Sequence, residues 1–462
     1  MDWRDLGKPG HEPVELVYND LDENQKFLEP DFNQLVRSKL RLSTLVSSAG
    51  KTVLATTSAK SRPMQTFSLS AQGAPPVRPT GRKEQMTRNM CINRRELLRR
   101  FGTAAAASVL PGKVAKSVSS PAHASGTVAR LDRNENAYGM SEKAKAAFYE
   151  ALNGANRYPD EQIEKLRSAI AAMHGIEARN ITLGCRSTEL LRMAAETFLE
   201  PAQNLVMASP TFASIAYAAK LAGAEVRGVP LTHEYAHDLP AMLARSDPKT
   251  GLVYICNPNN PTGSLTPKSD LDLFLPKVPA GAFVVIDEAY HEYVAPTGAY
   301  ASWASRAVAD PRLIVTRTFS KVYGMAGLRV GYAISSKETA KRLSDRRLPG
   351  SINAVALSTA LAALEDSTYA KKIAALNAND RQEFFNQANA RMLRCLDSQT
   401  NFVLLRTFLS GNETMEVLGA KGVLVKANYP AFEKYIRVSL GLPEEMQAFW
   451  SAWDASMPHH PM

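Results

Sequence analysis

The 462-residue chain contains only four cysteines, Cys91, Cys185, Cys256 and Cys395. None has the paired spacing of a zinc site or of a disulfide framework, which argues against a metal centre and against a cystine-stapled fold. Long apolar runs and internal repeats are also missing, so neither a permanent membrane span nor a solenoid is expected. What remains is 45% hydrophobic and 22% charged residues, enough for a large buried core and two or three domains. The formal charge of +10 could suggest a nucleic-acid partner. It is unevenly placed, however: residues 1–124 hold 19 Lys/Arg against 11 Asp/Glu, which leaves 36 against 34 for residues 125–462. The body of the chain is therefore nearly neutral, and the charge is no evidence for a nucleic-acid surface there.

Residues 1–85 are polar and turn-rich, with the run Ala74-Pro75-Pro76-Val77-Arg78-Pro79, and lack the apolar periodicity of a packed domain. A disordered or artefactual extension is expected there. Residues 86–124 then show a basic stretch, Asn93-Arg94-Arg95-Glu96-Leu97-Leu98-Arg99-Arg100, a short apolar segment over 101–110, and Ala122-His123-Ala124. That is the order of a secretory signal, and the paired arginines resemble a twin-arginine export signal. The expected location is periplasmic or exported, with translation starting at Met86 or Met90 and a mature N terminus near Ser125; an intact Met1 on the natural protein would sink this expectation. The competing reading is a basic amphipathic segment of a cytoplasmic protein.

From Leu131 onward helical patterns alternate with short β-branched or apolar runs, as in an α/β fold with a mostly parallel sheet. The patterns predict helices near 141–153, 161–173, 187–199, 212–222, 268–275, 336–346, 353–364, 367–395 and 442–455. Strands are expected near 204–208, 225–229, 251–256, 282–287, 312–317 and 330–334, with shorter ones at 402–406, 423–426 and 434–438. The implied organisation is an N-terminal arm (125–160), a large domain (161–345) and a small α+β domain (346–462).

Three strand ends carry the chemistry. After 251–256 comes Asn257-Pro258-Asn259-Asn260-Pro261-Thr262-Gly263, a loop stiffened by two prolines that can aim an amide at a ligand. After 283–286 comes Asp287-Glu288-Ala289-Tyr290, which places a carboxylate where desolvation is costly without a positive partner, such as a protonated pyridine nitrogen. After 313–317 come Thr318-Phe319-Ser320-Lys321 and Gly324-Met325-Ala326-Gly327-Leu328-Arg329. Hydroxyls with a fork-shaped cation suit a phosphate, and an amine beside them can condense with an aldehyde. Each residue has a plainer reading: Lys321 as a solvated lysine, Asp287 as a cap, Tyr290 and Phe212 as core aromatics, Ser187 and Thr188 as ordinary helix caps.

In this order and spacing the three motifs resemble the class I/II aminotransferases, especially their histidinol-phosphate aminotransferase branch. The likeness extends upstream to Leu131-Asp132-Arg133-Asn134-Glu135-Asn136-Ala137-Tyr138-Gly139 and to Arg157-Tyr158-Pro159-Asp160, and covers about 330 residues. The resemblance implies a fold-type-I enzyme with a mostly parallel large domain and a small α+β domain. It implies pyridoxal 5′-phosphate as cofactor, an amino-acid donor, a 2-oxo acid acceptor and a homodimer with shared active sites. Lys321 would hold the cofactor as a Schiff base and then act as general base, and Asp287 would pair with the ring nitrogen. Asn260 and Tyr290 would hydrogen-bond the phenolic oxygen. Ser187, Thr188, Thr318, Ser320 and Arg329 would hold the phosphate, Phe212 would stack on the ring, and Tyr158 would reach the partner's phosphate. Arg437, Tyr138 and Lys426 would meet the substrate.

Two positions depart from the family pattern. Arg186 stands where a glycine is usual, which restricts the backbone beside the phosphate. Lys426 stands where histidinol-phosphate enzymes commonly carry an arginine, and a lysine is not an equivalent bidentate donor. Donors other than histidinol phosphate, aromatic ones included, therefore remain open. So does a threonine-phosphate decarboxylase-like lyase, which shares this motif set.

Overall fold

The computed structural model describes residues 128–429 and 431–457. The expected N-terminal extension and signal segment lie outside the described residues. The elements in chain order are β1 (Ala129–Arg130), α1 (Glu142–Ala151), α2 (Asp160–His174), β2 (Ile181–Gly184), α3 (Arg186–Phe198), β3 (Asn204–Ser209), α4 (Ser214–Leu221), β4 (Glu225–Pro230), α5 (Leu239–Arg245), β5 (Thr250–Cys256) and α6 (Lys268–Phe274). They continue with β6 (Phe283–Asp287), α7 (Ala304–Ala309), β7 (Leu313–Thr318), β8 (Gly331–Ile334), α8 (Lys337–Ser344), α9 (Ala354–Glu365), α10 (Ser367–Ala390), β9 (Phe402–Arg406), α11 (Gly411–Gly419), β10 (Val423–Leu424), β11 (Tyr435–Ser439) and α12 (Pro443–Asp454).

Seven strands form the main sheet in the order β2-β8-β7-β6-β5-β3-β4. β5 and β7 are buried along their whole length, as parallel strands covered on both faces must be; β5 is accordingly apolar almost throughout, as is the first half of β7, whose second half is Thr316-Arg317-Thr318. Only β8 breaks the parallel run, pairing antiparallel with both β2 and β7. The register sets Gly331 opposite both Gly184 and Thr318. The end of β2, the start of β8 and the end of β7 therefore share one edge of the sheet, which the parallel strands β6, β5 and β3 also reach with their carboxyl ends. Ligands bind beyond that edge in open α/β sheets. Gly331 permits the approach: a Cβ there would lie 2.6 Å from the Ser187 backbone nitrogen on α3.

A second core surrounds the antiparallel pair β9 and β11, with Phe384, Phe449, Trp450 and Trp453 on α10 and α12. The arm joins it through the parallel pair β1 and β10 and a bond from the Ser439 backbone N–H to Leu131 O of 2.8 Å. The core of the main sheet extends past residue 345. Ile352 and, on α9, Ala356, Leu357, Ala360 and Ala363 belong to the core of the main sheet, as does Ile373 on α10, because α9 packs against α1 and α2. The crossing from one core to the other occurs inside α10. That helix ends at Ala390 rather than 395, since Met392 takes a left-handed backbone (φ 55°) and Leu393 turns back to bond Ala388 O. Strand β10 stops at Leu424, with Lys426 making an isolated bridge to Arg437. Among the described residues no helix is long and apolar enough to cross a membrane.

Candidate active site

A cavity of about 490 Å³ opens at the shared sheet edge. Eleven of the expected residues line it: Ser187, Thr188, Phe212, Asn260, Asp287, Tyr290, Thr318, Ser320, Lys321, Arg329 and Arg437. They come from loops after β3, β5, β6 and β7, from the first turn of α3, from the turn before β8 and from β11. Three others are placed differently. Tyr158 is 90% exposed and does not line this cavity. Tyr138 donates its hydroxyl to Asp380 at 2.9 Å, on α10. Lys426 is exposed, and its backbone N–H bonds Arg437 O at 3.1 Å.

Asp287 ends β6 and is 1% exposed. Tyr254 Oη and Thr316 Oγ1 each donate to its carboxylate at 3.0 Å. Burial outweighs these neutral donors and pushes its carboxyl up to about 6. A cationic N–H is thus the partner this carboxylate lacks. Lys321 Nζ donates to Asn134 O at 2.8 Å and to Arg133 O at 3.3 Å. Desolvation first, and the nearby Arg437 guanidinium second, push this amine down to about 7, so its neutral, nucleophilic form is accessible near neutral pH.

Across the cavity, the Thr318 hydroxyl bonds Ser320 Oγ at 3.0 Å and accepts the Ser320 backbone N–H at 3.1 Å. Arg329, in a left-handed backbone (φ 61°), donates to Ala326 O and to Ser320 Oγ. Facing them, the N terminus of α3 presents Ser187 and Thr188, where the helix dipole favours an anion. Arg186 opens that helix with φ 67°. Hydroxyls, a guanidinium and a helix N terminus form a phosphate cradle; a buried acid and a depressed amine flank the remaining space. Phosphate, pyridine nitrogen and aldehyde are the three handles of pyridoxal phosphate, and the donor set fits all three.

The sequence pattern of the family described as aminotransferase class I and II matches residues 127–451. The chain belongs to the class I and II aminotransferases. It is 38% identical over 369 residues to histidinol-phosphate aminotransferase 2 of Ralstonia nicotianae, covering 77% of this chain and 97% of that relative. The histidinol-phosphate aminotransferase of Bacillus subtilis is 35% identical over 336 residues, covering 72% and 93%. In structure, the chain resembles histidinol-phosphate aminotransferase from Sinorhizobium meliloti, solved in complex with pyridoxal-5′-phosphate. The TM-score is 0.65 at 28% identity, over 70% of this chain and 89% of that one. This aminotransferase is accordingly a fold-type-I enzyme that uses pyridoxal 5′-phosphate.

Several site residues of the aminotransferase carry no role in the sequence reading. Tyr254 and Thr316, which hold Asp287, sit inside apolar strands, and Thr316 is the direct cross-strand partner of Asp287. A polar residue in such a strand was the available signal. Asn134 reaches Tyr290 Oη at 3.0 Å. Cys256 lines the cavity, but burial raises its thiol far above the range in which it is nucleophilic. Cys185 is only partly buried.

Proposed function

We propose that this enzyme moves an amino group from an anionic donor, histidinol phosphate or a related amino acid, to a 2-oxo acid. The observation that carries this reading is Arg437. It is buried in the same cavity as Lys321, with Nη1 on Asn260 Oδ1 and Nη2 on Asp132 O, each at 2.7 Å. Both acceptors are neutral, Nε has no partner, and among the described residues no carboxylate pairs with this cation. Such a charge is stable only with an anion nearby, which a substrate brings. Lys426, which forms an isolated antiparallel bridge with Arg437 of β11, would add a second cation for a phosphate monoester.

When bound, pyridoxal phosphate supplies the electron sink that stabilises negative charge on the donor's α-carbon. Lys321 Nζ removes and returns the proton at that carbon. Asp287 would keep a ring N–H charged, and Asn260 and Tyr290 would hold the phenolic oxygen. Ser187, Thr188, Thr318, Ser320 and Arg329 would hold the phosphate, and Phe212 would cover the ring. The homodimer, with Tyr158 serving the partner's site, and export through residues 86–124 belong to the same proposal. The exposed side chains of Tyr149, Leu152 and Tyr158 on one short stretch support an interface there.

A half-reaction screen tests the donor. Holoenzyme is mixed with histidinol phosphate and with aromatic, acidic and aliphatic amino acids while the cofactor absorbance is followed. Histidinol phosphate should discharge that absorbance fastest, and Arg437→Met should raise its KM about 100-fold. Inert histidinol phosphate beside a reactive aromatic donor would overturn the donor assignment, and release of carbon dioxide without amine formation would point to the lyase.

A further inference from the structure

Asn134 is 1% exposed, lies on the arm segment that lines the cavity, and adopts a left-handed backbone (φ 54°). Its carbonyl accepts from Lys321 Nζ at 2.8 Å and from Asn401 Nδ2 at 3.1 Å. The orientation of its side-chain amide follows from Ser439. The Asn134 backbone N–H donates to Ser439 Oγ at 2.8 Å, so that hydroxyl, already an acceptor, turns its own proton to Asn134 Oδ1 at 3.2 Å. With Oδ1 occupied, the amide nitrogen faces Tyr290 and donates to its Oη at 3.0 Å. A phenol has one proton to give. Tyr290 accepts from the Asn134 side and, among the described residues, donates nowhere, so its proton is free to point into the cavity it lines.

We propose that Asn134, held by Ser439, is a positioning residue that turns the Tyr290 O–H toward the anionic ring oxygen of the cofactor. The proposal rests on the reading of Tyr290 as a ligand of that oxygen. Donation to an anion stabilises it. Where the donation is lost, the ring oxygen becomes more basic and the proton on the adjacent nitrogen of the Lys321–cofactor bond is held more tightly. The visible absorbance of the holoenzyme should then titrate at higher pH.

The test compares that titration midpoint in wild-type holoenzyme, Asn134→Asp, Ser439→Ala, Tyr290→Phe and the Asn134→Asp/Tyr290→Phe double variant. Aspartate tolerates the left-handed backbone as asparagine does, and its carboxylate, which only accepts, draws the Tyr290 proton away from the cavity. Asn134→Asp and Tyr290→Phe should each raise the midpoint by about one to two units. The double variant should rise no further than Tyr290→Phe alone. Ser439→Ala, which adds no charge and frees the amide to rotate, should give a smaller rise; it carries the test if Asn134→Asp does not fold. A rise in Tyr290→Phe with none in Asn134→Asp or Ser439→Ala would overturn the role of Asn134 alone. An additional rise in the double variant would assign the effect to the new charge and likewise overturn it. No rise in Tyr290→Phe would remove both the reading of Tyr290 and the proposal built on it.

Discussion

Of the arginines that line its cavity, Arg437 and Arg329 act against the charged form of Lys321, and Glu135 and Asp287 oppose them. Desolvation is nonetheless the larger influence, and together these push the amine down to about 7. The sign of the pH dependence follows. The neutral amine attacks the cofactor aldehyde, so uptake of pyridoxal phosphate by apoenzyme should climb about tenfold per unit below pH 7 and level off above it. Arg437→Met removes a neighbouring positive charge and should move the break upward. Stopped-flow uptake across pH 5 to 10 reads this directly; a rate that still climbs steadily at pH 9 would mean an ordinary lysine. Asp287 responds in the opposite sense, because burial favours the neutral form of an acid and of an amine alike: its carboxyl goes up while the Lys321 amine goes down.

At the scale of elements, the start of α3 stores strain. Arg186 is left-handed at φ 67° in a position where a side chain is disfavoured, and it lines the cavity. The turn has little room to relax, because β8 passes so close that a Cβ at Gly331 would lie 2.6 Å from the next residue's backbone nitrogen. Replacing Arg186 with glycine relieves roughly 1–2 kcal/mol of strain and loses part of that to chain entropy. The apoenzyme should melt about 1–2 °C higher. The guanidinium is lost at the same time, and cofactor affinity should fall about fivefold, which equilibrium dialysis would show. An unchanged cofactor affinity would leave Arg186 as a solvated side chain. The strands carrying the motifs were legible because β5, β6 and β7 are apolar runs that stop at polar, proline-containing or glycine-containing loops. The elements β1, β2, α5, α7 and α11 were not, since two to nine residues provide too little periodicity to stand out. The partners of Asp287 were hidden for a related reason: Tyr254 reads as core, and its hydroxyl's target depends on a strand register that spacing alone does not determine.

For the whole molecule, one protomer brings eleven of the expected residues to a single cavity and leaves Tyr158 at 90% exposure outside it. The position of Tyr158 follows from the chain, since it lies just before α2, on a stretch that also exposes Tyr149 and Leu152. A tyrosine so exposed contributes nothing to its own site, so any role in the reaction requires a second copy. The proposed dimer therefore makes a prediction that a monomer cannot meet. Lys321→Ala and Tyr158→Ala should each be impaired alone, the first abolishing turnover and the second weakening cofactor retention about tenfold through loss of one phosphate contact. When the two variants are co-refolded, each mixed dimer contains one site with both changes and one with neither. Activity should then recover to about a quarter of wild type, because half of the dimers are mixed and half of their sites are intact. Measured at limiting cofactor, where the Tyr158→Ala homodimer is largely empty, that recovery is diagnostic. Activity no greater than the separate variants contribute would place Tyr158 outside the partner's site and leave the exposed face without a catalytic purpose.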